Sequence, residues 1–164
     1  MGTNKYKLFW KVGDVNKHVV CQKYSDDEEY YSFLKKQYDI GYRQIIISSE
    51  VMIQLIKEFV MNFGLRVYRI EFMEADSSLT NEIEVLLDHM KEYPILFVTL
   101  LEKLNFLAET TSIDIGRIYT SGKSKNNSAL NMFVQSNGII GINDDAEDEL
   151  LQRTCTLIER HLFG

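Results

Sequence analysis

The stretch Gly116-Arg-Ile-Tyr-Thr-Ser-Gly-Lys-Ser124 has the residue types of a phosphate cradle. Its glycines let backbone N–H groups approach an anion, and a lysine and a serine follow to meet the phosphate charge and its metal. The spacing argues against that chemistry. Five residues separate Gly116 from Gly122, where the motif needs four, and Lys125-Asn126-Asn127-Ser128 follows as loop chemistry ahead of a strand pattern. Without a helix at that point, the N–H groups have no common focus. What survives is charge: Arg117, Lys123 and Lys125, with Ser124 between them, form a basic island in a chain of net charge −6. At a hairpin tip these residues are either ordinary solvated loop or a finger for an anionic partner. Such a partner is a phosphate or a nucleic-acid backbone, and salt would weaken its binding steeply.

Other candidate chemistry is sparse. Glu74 and Asp76 lie two residues apart beside Ser77 and Ser78. With Ser48 and Ser49 they would mark the carboxyl ends of two strands, where a hard cation such as Mg²⁺ and a phosphorylated substrate would bind. Asp and Ser are equally the residues of helix caps and loops. His18, His89 and His161 have no metal-ligand spacing, and no Gly-x-Ser-x-Gly elbow is present. Cys21 and Cys155 form no CxxC pair and read as free thiols. Arg69 and Glu71 share one strand face, as a partly exposed ion pair would. Aromatic residues crowd the N-terminal region, and Tyr6, Trp10 and Tyr30 are the ones expected to anchor a protein interface if they stay exposed.

These residues need elements to position them. Residues 5–12 and 18–24 alternate as a hairpin around Gly13-Asp14-Val15-Asn16. Ser25-Asp26-Asp27-Glu28 reads as a capping box ahead of a helix with Tyr30, Phe33, Leu34 and Tyr38 inward. Gln44 to Ile47, a helix capped by Ser48-Ser49 and ended by Gly64, and a strand from Leu65 to Met73 together predict a βαβ crossover with parallel strands. A helix with Leu79, Ile83, Leu86 and Leu87 inward follows, and Pro94 breaks it. The next run, Ile95 to Leu107, is apolar on nearly every face and is expected to be buried, although 94–101 also fits a strand. A second hairpin joins 112–120 to 129–135 with the basic island at its tip, and 138–142 extends it. Asp144 and Glu147 would then cap a last helix.

The length of 164 residues and the 45% hydrophobic content fit one domain with a proper core. The expected fold is α/β or α+β: a single domain with a mixed sheet of about six strands and about five helices. No cofactor is called for, and the apolar runs are too short to span a bilayer. The acidic balance argues against nucleic-acid binding over the whole surface. The functional expectation is a small, acidic, cytoplasmic binding or regulatory protein, of the inhibitor or immunity kind, that acts on another protein without catalysis. A metal-dependent enzyme using Glu74 and Asp76, and nucleic-acid binding through residues 116–125, are the competing expectations.

Overall fold

The computed structural model describes residues 3–74, 76–124, 126–143 and 148–164. Seven strands form one sheet: β1 (Asn4–Lys11), β2 (Val20–Tyr24), β3 (Tyr42–Gln44), β4 (Arg66–Phe72), β5 (Ile115–Lys123), β6 (Ala129–Gln135) and β7 (Ile139–Ile142). Five helices accompany it: α1 (Tyr30–Asp39), α2 (Ser49–Met61), α3 (Ser77–His89), α4 (Leu96–Thr110) and α5 (Asp148–Phe163). The spatial order is β2-β1-β7-β6-β5-β4, with β3 also bonded to β1. This is an α+β arrangement with the expected N-terminal and C-terminal hairpins. The Asp144–Glu147 cap lies outside the described residues.

The parallel crossover is not formed, and every pairing in the sheet is antiparallel. Strand, helix and strand do follow one another as the periodicity predicts. However, β3 bonds to β1 whereas β4 bonds to β5 at the far edge, so α2 carries the chain past the strands between them. The strand expected over Gln44–Ile47 stops at Gln44. Ile45 and Ile47 are buried and Ile46 points out, as period-2 alternation requires. Their backbone bonds nevertheless go to two different places: Ile45 N–H donates to Leu8 O at 3.2 Å, and Ile47 N–H donates to Ser136 O at 2.7 Å. The segment is a strap across the β6–β7 turn rather than a sheet member.

Local chemistry explains the helix ends. Ser25 closes a turn by accepting from Asp27 N–H at 3.2 Å, so the cap of α1 falls to Glu29 instead. The Glu29 carboxylate accepts from Tyr31 N–H (3.1 Å) and Ser32 N–H (2.7 Å). Ser48 caps α2 as expected, accepting from Val51 N–H at 3.3 Å, and Gly64 at φ +66° ends that turn of chain. Residues 96–101 are helical and begin α4. That helix is not buried all round: Phe97, Leu100, Leu104 and Leu107 point inward, while Ile95, Val98 and Phe106 are exposed. Its apolar sequence therefore reflects one core face plus an uncovered side.

The main core lies on one face of the sheet. Leu8, Val67, Ile70, Ile118, Leu130, Met132, Val134, Ile140 and Ile142 meet the inward stripes of α2, α3, α4 and α5 there. On the other face α1 covers only the β1–β2–β3 end, where Phe33 sits 6.0 Å from Phe9 and 5.2 Å from Tyr24. Lys7 is caught under this second layer. It shares the face of Phe9, is fully buried, and its Nζ has no hydrogen-bond partner among the described residues. Burial lowers its pKa to about 8. Beside it, Gly138 at φ +85° passes its carbonyl to Leu8 N–H at 2.9 Å. A Cβ on Gly138 would lie 2.4 Å from Ile45 O and 3.3 Å from Lys7 Nζ.

Two outcomes follow from this packing. Gly138→Ala combines a left-handed backbone with a clash against the strap, so urea unfolding should show a loss of about 2–4 kcal/mol. An unchanged midpoint would contradict the tight approach. Lys7 has a folded pKa below its unfolded value of 10.5, so its charged form is penalised at neutral pH. That penalty is fully present below about pH 8 and disappears as pH rises to 10.5, which makes stability rise with pH in that window. Lys7→Met should be more stable than wild type at pH 7, and the difference should narrow as pH rises from about 8 to 10.5, as denaturation at a series of pH values can read. A pH-independent difference would show that Lys7 does not titrate in this way.

Candidate functional site: the open face of β4, β5 and β6

The basic island is divided by the fold. Gly116 to Lys123 is β5 itself, paired with β6 from Arg117↔Gln135 to Lys123↔Ala129. The N–H groups of a strand alternate between its two sides, so a phosphate cradle is geometrically excluded there. Ser124 is buried and organises the turn. Its Oγ lies 2.6 Å from Ser128 Oγ and accepts from Asn126 N–H at 3.3 Å and Ser128 N–H at 3.2 Å. Lys123 is exposed at the tip, and Lys125 lies outside the described residues. Arg117 is six residues from Lys123 along the strand, roughly 20 Å away. Lys123, at the strand end, lines a depression with Phe63, Leu65, Leu130 and Arg153 instead, and Arg117 faces another surface.

That surface is the face of β4, β5 and β6 turned away from the main core. Alternation sends Arg117 and Tyr119 of β5 outward, with Phe133 and Gln135 of β6. In β4 a bulge between Val67↔Thr120 and Arg69↔Tyr119 inserts Tyr68, so two successive residues, Tyr68 and Arg69, face solvent. The ring of Phe133 lies flat on Gly141 of β7, where a Cβ would come within 2.2 Å of its Cε1. The Arg117 guanidinium stacks above that ring at 4.4 Å from its centroid. Tyr119 stands 6.2 Å from Phe133 and 5.9 Å from Tyr68, ring centre to ring centre.

Hydrogen bonds fix this array. Arg117 donates through Nη1 to Tyr119 Oη at 3.1 Å and through Nη2 to Gln135 Oε1. Tyr119 Oη donates to Glu71 Oε1 at 3.0 Å, and Arg69 Nη2 is 3.4 Å from the same carboxylate oxygen. The expected Arg69–Glu71 pair thus exists, but as one corner of a larger network. Two guanidinium groups against one carboxylate leave the middle of the patch positive, while Glu84 and Asp88 of α3 border Tyr68 at its β4 edge. The residues are half-buried to exposed: Tyr68 is 37% exposed, and the side chains of Arg69 and Glu71 are 52% and 38% exposed. A surface of this kind offers flat rings and fixed donors.

The other expected site residues are scattered. Tyr6 and Trp10 turn toward the core side of β1, and Lys17 Nζ covers the Trp10 ring at 4.7 Å. Tyr30 lies across the sheet on α1, edge-on to Tyr24 at 5.5 Å, and burial raises its pKa. Glu74 is exposed, while Asp76 caps α3 by accepting from Leu79 N–H at 3.0 Å. Ser49 is held between Asp114 Oδ1 (3.1 Å) and Ile115 N–H (2.9 Å). Among the described residues, no three His, Cys, Asp or Glu side chains are grouped to hold a metal. Tyr68, Tyr119 and Phe133 escaped sequence reading. The usable signal was the period-2 run of Arg117, Tyr119 and Ser121 opposite Asn131, Phe133 and Gln135, and the bulge at Tyr68 left no signal at all.

If Tyr119 Oη truly couples Arg117 to Glu71, Tyr119→Phe and Glu71→Gln should be non-additive in a double-mutant cycle. The expected coupling is about 0.5–1.5 kcal/mol by urea unfolding, and strict additivity would remove the network. Comparison with protein-family models, with curated proteins and with solved structures returns no match to this chain.

Proposed function

We propose that this protein is a binding or regulatory protein without catalysis of its own, and that it holds another protein against the open face of β4, β5 and β6. The observation that supports this reading is the stacked array of Tyr68, Arg69, Arg117, Tyr119 and Phe133 on a sheet face bearing no helix among the described residues. Tyr and Arg are the residue types that dominate interface energetics, because they bring large contact area and directional donors together. The network restrains these side chains before any partner arrives, which lowers the ordering cost of association. The positive patch favours a partner that presents carboxylates around an apolar or aromatic anchor.

The same face has a second use. Flat aromatic rings interleaved with guanidinium groups can stack single-stranded bases. The net charge of −6 opposes a long phosphate backbone, and it places the protein partner first. No helix among the described residues is long and apolar enough to cross a membrane.

The test is retention of partners from extract of the native host on immobilised protein. Wild type should reproducibly retain one or a few proteins. Arg69→Glu combined with Arg117→Glu should weaken retention at least ~10-fold while circular dichroism stays unchanged, and Lys123→Glu should have little effect. Equal retention by the double variant would refute the open-face reading. A retained species sensitive to nuclease would instead identify single-stranded nucleic acid as the ligand.

A further inference from the structure

The only two cysteines of the chain, Cys21 and Cys155, stand far apart in sequence and come together in the fold. Cys21 is partly exposed on β2. Paired with Leu8, it projects to the core side, where α5 presents buried Cys155. The two side chains therefore meet in the one layer between sheet and helix. A second, independent contact fixes the approach. One turn beyond Cys155, Glu159 Oε1 accepts from Val19 N–H at 2.8 Å and lies 3.2 Å from His18 Nδ1. Four residues of helix rise roughly 6 Å and two residues of strand roughly 6.8 Å. The Glu159–Val19 and Cys155–Cys21 contacts are therefore in step, like rungs of a ladder between helix and edge strand. Cysteines held in step across so narrow a gap can be joined by a disulfide through side-chain rotation.

We infer that Cys21 and Cys155 are an oxidative modification site, forming a reversible disulfide that staples β2 to α5. The inference goes beyond the proposed function and is independent of it, because both thiols lie on the opposite side of the sheet from the open face. The oxidant is a disulfide of the glutathione type. The accessible Cys21 thiolate attacks one of its sulfurs, the oxidant's S–S bond breaks, and one glutathione leaves as thiolate. Cys155 sulfur then attacks Cys21 Sγ in the mixed disulfide, and its proton passes to the second departing glutathione. Two protein thiols lose two electrons in all, and the oxidant disulfide becomes two thiols. The hydrogen bond to Cys21, then burial, holds the Cys155 thiol well above its usual range, which makes Cys21 the point of entry and Cys155 the resolving partner.

The full chain, incubated with oxidised glutathione, should lose two hydrogens by intact mass and retain no alkylatable thiol in denaturant. Its melting temperature should rise by roughly 5–15 °C, because the bond closes most of the chain into a loop, and dithiothreitol should reverse the shift. Cys155→Ser should stop at a glutathione adduct on Cys21. A wild-type product that stops at the adduct, links two molecules together or keeps both thiols would overturn the inference. The wild-type mass and thiol count decide the matter even if a cysteine variant fails to fold.

Discussion

The structure depends on the pairing of β1 with β7. Asn4 to Lys7 bond to Ile142 to Ile139, joining the first strand among the described residues to the last. Without that ladder the sheet separates into β2-β1-β3 and β7-β6-β5-β4, and neither half covers the other's core. Closing so long a loop is costly in entropy, so the ladder requires strong compensation from burial. It has that on both faces. Leu8 lies in the main core and Phe9 under α1, and both are buried. Leu8 also marks the point where the β1 edge passes from β7 to the β3 strap, through Gly138 O and Ile45 N–H.

The same ladder makes the two faces unequal. Helices α2 to α5 fill one face, and α1 is long enough to cover only the β1 end of the other. The remaining strands must satisfy their outward side without a helix. They do so with amphipathic residues: Phe133 rests on Gly141, Arg117 on Phe133, and Tyr119 spans to Glu71. Rings and guanidinium groups can face water without exposing a bare apolar patch. That compromise also leaves them available to a partner. The candidate binding surface is thus a consequence of incomplete helix coverage, and its order comes from hydrogen bonds rather than burial.

Sequence reading succeeded where the signal is local. The alternation of β1, β5 and β6, the cap at Ser48, the stop at Gly64 and the inward stripe of α2 each follow from a few neighbouring residues and their backbone preferences. It failed where two local options were equally good. Ser25 suits a cap, but its hydroxyl closes a turn with Asp27 and the cap falls to Glu29. Ile45 to Ile47 alternates as a strand should, yet finds its backbone partners on Leu8 and Ser136. The apolar run of α4 could not announce that Val98 and Phe106 would be left outside.

What the amino-acid order determined by itself was the set of elements, their inward faces and the acidic balance, since each is a property of a few adjacent side chains. Only the tertiary structure decided which strands pair, that Arg117 joins Arg69 and Phe133 rather than Lys123, and that Cys21 meets Cys155. Those outcomes depend on contacts between distant segments. Their energies are set by shared burial and by backbone hydrogen bonds that any strand can offer to any other, so nothing within one segment encodes its partner.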